Sequence, residues 1–307
     1  MRHLISISGV TNDDLATIYD RALAPLDDTL LSGQGVALVF ELASLRTRAS
    51  SATAVHELGG YATFFSDAEI GLGKRESVAD VARTLSELFA ICALRVRSHD
   101  VFAAMRSATH DRMALINLLS PGAHPTQAIA DVLTLAEHFG DGDVASLRGK
   151  TVAYVGDATN VTRSLAVALA RVGATVHIGA PDAYQLTPGG EEDPLADLGP
   201  GAGAVRLFDS AAAAVRGAHA VYTDTWISMG DEAEAEQRRR DLAAFQVNDA
   251  LLAHAAPDAV VLHCLPAHRG EEVTDGVLDS ARSLIWRQVR HRRSAMVGVL
   301  RWIKEEA

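Results

Sequence analysis

The feature that most limits what this chain can fold into is a repeated alternation between short β-branched or aliphatic runs and longer amphipathic stretches. Val36–Phe40, Tyr61–Phe65, Ile91–Val96, Met113–Asn117, Thr151–Val155, Thr175–Gly179, Ala220–Thr223 and Ala259–His263 have the length and residue types of strands. Between them, Ser77–Phe89, Gln127–Phe139 and Val161–Val172 carry apolar residues at helical spacing. A helix between successive strands is a crossover connection, which joins parallel neighbours and covers the sheet faces. The expected fold class is α/β, with two doubly wound domains, each a mainly parallel sheet flanked by helices.

A chain of 307 residues is too long for one ordinary core, so two domains are expected. The best break runs from Gly140-Asp141-Gly142-Asp143 to Arg148-Gly149-Lys150, where a polar stretch precedes a fresh strand, giving domains 1–140 and 150–287. Pro188–Pro194 through Gly199–Gly201 reads as a mobile surface excursion. At 48% hydrophobic and 22% charged residues, the composition excludes a disordered chain. A net charge of -11 argues against nucleic acid and anionic membrane as partners, so an anionic ligand would need a local nest of positive charge. Cys92 and Cys264 are far apart in apolar surroundings, which is neither a disulfide framework nor a metal set. The N-terminus lacks the apolar run of a secretion signal and no stretch has the length of a membrane span, so a cytoplasmic location is expected.

Parallel α/β sheets collect ligands at the carboxyl ends of their strands, and the unusual residues lie there. Ser44-Leu45-Arg46-Thr47-Arg48 follows the first strand and runs into a helical pattern. Unpaired first-turn N–H groups, hydroxyls and forked guanidinium groups suit a phosphate; the plain alternative is an N-cap with two solvated arginines. Arg95 ends an apolar strand, where it needs an anion or an exposed edge. Pro125 keeps His124 out of the following helix, so the imidazole stands at its mouth with Gln127 close by. Gly156-Asp157-Ala158-Thr159-Asn160 is a strand-to-helix turn without the Gly-x-Gly-x-x-Gly spacing of a dinucleotide site. Asp224, with Ser228 four residues on, can hold an ammonium group or merely cap a strand end. Cys264, in His263-Cys264-Leu265-Pro266, follows a buried strand, where a cysteine is most often inert packing, although His263 and His268 are near enough in sequence to suggest a Cys–His pair.

Taken in order, these loops resemble the aspartate/ornithine carbamoyltransferase family. Ser44–Arg48 is similar to its Ser-Thr/Leu-Arg-Thr-Arg motif, His124–Gln127 to its His-Pro-x-Gln, and Asp224–Gly230 to the Asp-x-x-x-Ser-Met-Gly loop of its ornithine branch. The resemblance implies carbamoyl transfer from carbamoyl phosphate to the side-chain amine of ornithine, or of an ornithine-like amino acid, with no cofactor and no metal. It implies that Ser44, Leu45, Arg46, Thr47 and Arg48 hold the phosphate, while Arg95, His124 and Gln127 hold and polarise the carbamoyl group. Cys264, the Leu265 carbonyl and, by register from Trp286, Arg292 complete the donor site. Asn160, Asp224, Ser228 and Met229 would bind ornithine, with Arg95, His124, Asp224 and Cys264 as the catalytic set. It further implies a C-terminal helix, 288–307, that packs back on the carbamoyl-phosphate domain, and a homotrimer or a multiple of trimers.

Departures from the family pattern lie around the expected site: Leu42, Gly71, Leu119–Gly122, Thr159, Arg290 and His291. They leave open another amine acceptor, such as lysine or putrescine, or a ligand-binding paralogue without activity. Biosynthetic or catabolic direction is not written in the sequence. An NAD-dependent dehydrogenase is a third reading, opposed by the missing glycine fingerprint.

Overall fold

The computed structural model describes residues 1–26, 29–227 and 232–305. It forms two compact units, Met1–Ala130 with Arg290–Ala307, and Asp131–Val289. Both are built from parallel sheets and helices, the architecture expected from the alternating pattern. The division falls inside the helix Pro125–Gly140, ahead of the glycine-rich stretch that marks the break in the sequence.

In the first unit, strands β1 (Gly35–Phe40), β2 (Tyr61–Ser66), β3 (Ile91–Arg95) and β4 (Ala114–Leu119) lie in the order β2-β1-β3-β4. All neighbours run parallel. Helices α1 (Asn12–Leu23), α2 (Leu45–Glu57), α3 (Val78–Leu88) and α4 (Asp100–Thr109) alternate with them, and α5 (Pro125–Gly140) follows β4. Their starts are set by local chemistry. Thr11 makes a capping box with Asp14, and the Ser77 hydroxyl accepts from Asp80 N at 3.1 Å, each satisfying an otherwise orphan amide. Ala37, Val39, Cys92, Leu94, Phe102, Met105 and Leu115 bury one sheet face. Burial pushes the Cys92 thiol well above its usual pKa, so Cys92 is inert packing.

In the second unit, β5 (Thr151–Val155), β6 (Thr175–Gly179), β7 (Val205–Phe208), β8 (Ala220–Thr223) and β9 (Val260–His263) form the parallel sheet β7-β6-β5-β8-β9. Helices α6 (Asn160–Arg171) and α7 (Ala235–Leu242) belong to this unit, and α8 (Ile285–Lys304) closes the chain. From Arg290 onward α8 is part of the first unit. There Trp302 Nε1 donates to Asp14 Oδ1 at 2.9 Å, and Gly298 lets α8 approach α1 so closely that a Cβ would stand 2.4 Å from Ile18 O.

Four details differ from the sequence expectation. β7 is an additional strand; its four residues are half-exposed at a sheet edge, so no apolar run announces it. β4 extends to Leu119, past the expected end at Asn117. The final helix opens at Ile285, three residues before the expected start at 288. The excursion after Leu186 is held down: Arg163 donates to Thr187 O at 2.8 Å, Gly189 O at 2.9 Å and Glu192 O at 3.2 Å, and Glu192 is buried. No helix among the described residues is long and apolar enough to cross a membrane.

Both sheets reverse direction of growth once, between β1 and β3 and between β5 and β8. At such a switch point the following loops leave to opposite faces and open a crevice at the strand ends, where ligands of open α/β sheets bind. Ser44 and Arg95 follow or end the first pair; Gly156–Asn160 and Asp224 follow the second.

Candidate active site

At the first switch point, Ser44 caps α2, its hydroxyl accepting from Thr47 N at 3.3 Å. No acidic residue stands in the first turn of α2, so the partial positive charge there is unopposed. Arg292, buried in α8, donates from Nη2 to Thr47 Oγ1 at 2.8 Å and from Nη1 to Gln127 Oε1. One guanidinium thus joins the α2 turn to the α5 turn, and its burial excludes the solvated basic face that a run of arginines suggests. Arg95 is on an inner strand and only 8% exposed, which removes the exposed-edge reading. His124 precedes α5, and its carbonyl accepts from Gln127 N at 3.1 Å and Ala128 N at 3.2 Å. Burial, then the charges of Arg292 and Arg95, hold the His124 imidazole well below its usual pKa, so it is neutral at pH 7. A neutral imidazole beside two guanidinium groups donates hydrogen bonds to an anionic or carbonyl oxygen without accepting a proton.

Not every residue of the expected phosphate motif points inward. Leu45 is 77% exposed, leaving only its backbone for ligand contact. Arg48 is exposed and its guanidinium carbon lies 4.2 Å from the centre of the Phe64 ring, a cation–π contact on the outer side of β2. Arg46 is half-buried in the first turn of α2.

At the second switch point, Asp224 is buried beyond β8, and its Oδ1 accepts from Thr225 N at 2.8 Å and from Cys264 Sγ at 2.8 Å. The thiol therefore has a carboxylate partner. His263 is not the activating partner of Cys264: its Nδ1 accepts from Leu265 N at 2.8 Å and its Nε2 meets Glu272 Oε1 at 3.0 Å. Glu272 Oε1 also accepts from His268 N at 2.6 Å, and Gln288 Oε1 accepts from His263 N at 2.9 Å. These contacts shape the loop so that Leu265 adopts φ 59°, a left-handed conformation that needs such support. Asp224, His263 and Cys264 bring three metal-ligating types within 4.8 Å, but the committed ring nitrogens of His263 oppose a metal there.

Asn160 opens α6 and is half-buried, with its Oδ1 accepting from Val161 N at 2.9 Å. Asp157 pairs with Arg238 of α7 at 2.6 Å, and Arg238 also donates to Trp226 O at 3.3 Å. Gly156 has φ 126°, and a Cβ there would stand 3.3 Å from Trp226 Nε1, so the turn needs glycine for both conformation and space. Ser228 and Met229 lie outside the described residues.

Sequence reasoning passed over Arg238, Glu272, Gln288 and Asn117, all of which organise these loops. Asn117 and Gln288 sit on elements read as ordinary strand and helix, Glu272 in a loop segment and Arg238 on a helix that was not expected, and only their spatial partners distinguish them. The signal for Glu272 was its nearness to the His263–Pro266 segment; Arg238 had none.

Parallel sheets with ligand-type residues at both switch points define a two-unit α/β enzyme that handles a small anionic molecule. Residues 2–137 match the aspartate/ornithine carbamoyltransferase carbamoyl-P binding domain, and residues 148–303 the Asp/Orn binding domain of the same family. An ornithine carbamoyltransferase from Methanocorpusculum labreanum is 38% identical over 301 residues, 97% of this chain and 95% of that protein. An anabolic ornithine carbamoyltransferase from Pyrococcus furiosus is 40% identical over 307 residues, 97% of this chain and 95% of its own. The solved structure of the Pyrococcus furiosus ornithine carbamoyltransferase superposes with a TM-score of 0.86 at 37% identity, covering 97% of this chain and 96% of that one. The chain belongs to the aspartate/ornithine carbamoyltransferase family.

Proposed function

We propose that this protein transfers the carbamoyl group of carbamoyl phosphate to the side-chain amine of L-ornithine, giving L-citrulline and phosphate, a step of arginine biosynthesis. The observation that carries the reading is the bridge from Arg292 to Thr47 and Gln127 beside Arg95 and a neutral His124. The α2 turn, with the Ser44 and Thr47 hydroxyls, the Leu45 amide and Arg46, binds phosphate, with Arg292 against its inner side, while Arg48 lies over Phe64 away from it. Arg95 and His124 donate to the carbamoyl oxygen, and Gln127 and the Leu265 carbonyl take the carbamoyl NH2. Asn160, Asp224, Ser228 and Met229 hold the α-amino and α-carboxyl end of the acceptor.

The amine attacks only when neutral, and in water its pKa is about 10. Its lone pair forms the new C–N bond, and negative charge gathers on the carbamoyl oxygen against Arg95 and His124. The C–O bond to phosphate then breaks, and the amine's proton leaves with phosphate or through the Asp224–Cys264 pair. A His124 that is neutral throughout stabilises the oxygen without competing for that proton. The site uses no metal and no organic cofactor. We further propose a cytoplasmic homotrimer, or a multiple of one, which light scattering would measure directly.

Incubation with carbamoyl phosphate and a panel of amines tests the reading. Citrulline from ornithine is the expected product. Activity confined to lysine or putrescine would reassign the acceptor, and phosphate binding without any ureido product would mark an inactive relative.

A further inference from the structure

His124 is buried at the end of a short connection, 120–124, between β4 and α5. The residues of that connection are held by a network that the reaction itself does not use. Asn117 is fully buried, and its Nδ2 donates to Ile5 O at 2.8 Å, to Ser120 Oγ at 2.9 Å and to Ala123 O at 3.3 Å. Two of these partners are carbonyls, which only accept, so the amide nitrogen must face them. Ser120, also fully buried, meets His99 Nδ1 at 2.7 Å through its hydroxyl and closes a tight turn by accepting from Ala123 N at 3.3 Å. Ala123 is the residue before His124.

The same place carries a β-bulge. Leu94 pairs with Asn117, but Arg95 pairs with Leu119, so β4 has one extra residue opposite the end of β3. Val96 N then donates to Leu119 O at 2.9 Å. Bulges bend a strand and re-aim the side chains beside them, and they cluster next to active sites. Here a single irregularity, stapled by one amide, sets both the end of the strand that carries Arg95 and the backbone that delivers His124.

We propose that Asn117 and Ser120 are positioning residues that hold His124 and Arg95 in register for the carbamoyl group. The inference rests on the functional reading above and adds that the rate depends on a network that touches no substrate. On that reading phosphate lies at the α2 turn, which none of these hydrogen bonds reaches, so loosening the network lowers turnover more than it weakens donor binding. A displacement of about 1 Å in a reacting group can cost on the order of 10²-fold in rate.

The test compares the wild type, Ser120→Ala, Ser120→Thr and Asn117→Asp, with His resonances followed in ¹⁵N-histidine-labelled protein and assigned through His124→Gln. Ser120→Ala should lower kcat about tenfold or more per active site while the KM for carbamoyl phosphate moves less than about threefold. Ser120→Thr keeps the hydroxyl and should recover most of the rate; Asn117→Asp, with no N–H to donate, should fall furthest. The His124 ring signals should shift or broaden in step with the loss. Unchanged kcat per folded molecule, or His124 signals that superpose on the wild type in Ser120→Ala, would overturn the proposal. A wild type that makes no ureido product would defeat the functional reading instead, and the His124 signals would still decide this one.

Discussion

Arg292 Nη2 donates to Thr47 Oγ1 at 2.8 Å, tying together residues 245 apart in the chain at the mouth of helix α2. Because Nη1 of the same guanidinium reaches Gln127, the planar fork binds two neutral acceptors in the first turns of separate helices. Lysine cannot reproduce that fork. Arg292→Lys should lower kcat/KM for carbamoyl phosphate by about 10- to 100-fold, the equivalent of roughly 1.5–3 kcal/mol for hydrogen bonds to a charged group. Steady-state kinetics with ornithine saturating would measure it.

His124 is held neutral by burial and by Arg292 and Arg95, so its folded pKa lies below the unfolded value of about 6.5. Between the two, the unfolded chain binds a proton that the folded protein refuses, so stability is lost as pH falls below about 6.5. The slope contributed by this one group approaches 1.4 kcal/mol per pH unit. Urea unfolding at pH 5 and pH 7 should show a smaller difference for His124→Gln than for the wild type. Turnover should show no titration of His124 near pH 6.5.

The Cys264 thiol donates to Asp224 at 2.8 Å, and both ring nitrogens of His263 are engaged elsewhere. Cys264→Ser retains a donor and should keep kcat within about tenfold of wild type. Cys264→Ala leaves the buried carboxylate short of a donor, at a cost of about 1–3 kcal/mol, and should raise the acceptor KM. A Cys264→Ser variant as dead as a lost nucleophile would refute the non-covalent assignment.

Arg238 connects the turn before Asn160 to the segment after Asp224 through Asp157 and Trp226 O. Asp157 and Arg238 have side chains only 12% and 13% exposed, so removing the arginine takes a charged partner from a buried carboxylate. Arg238→Ala should destabilise the protein by about 3 kcal/mol and raise the ornithine KM about tenfold or more. The carbamoyl phosphate KM should be unmoved, since the pair lies within the second unit. Substrate-specific KM values and calorimetry would separate the two effects.

At Gly298 a methyl group would stand 2.4 Å from Ile18 O and 2.9 Å from Ala22 Cβ. Gly298→Ala gains helix propensity but must push α8 away from α1, so a net loss of about 1–3 kcal/mol is expected. Chemical denaturation would measure it, with kinetic constants per folded molecule little changed.

The sheet order β7-β6-β5-β8-β9 was legible only in part. Strands such as Thr151–Val155 and Thr175–Gly179 were found to the residue, because each is a short β-branched run bounded by turn residues. Val205–Phe208 was not, because an edge strand buries too little to mark its residues. The motif residues were legible for a similar reason: Ser44, His124 and Asn160 each stand where a strand gives way to a helix, a place readable from local pattern. Their partners were not. Arg292 on Thr47, Asp224 on Cys264 and Asn117 on Ile5 O join residues 245, 40 and 112 apart, and nothing local records such pairs.

By itself, then, the sequence determined the α/β class, the strand-end loops and the family resemblance, because periodicity, capping and short motifs are properties of neighbouring residues. Tertiary structure alone decided that Arg292 is buried against Thr47, that His124 is neutral, that His263 serves a loop and not a thiol, and that Asn117 holds Ala123, the residue before His124. Burial, charge proximity and hydrogen-bond partnership arise only when distant segments meet, and those quantities set what each side chain can do.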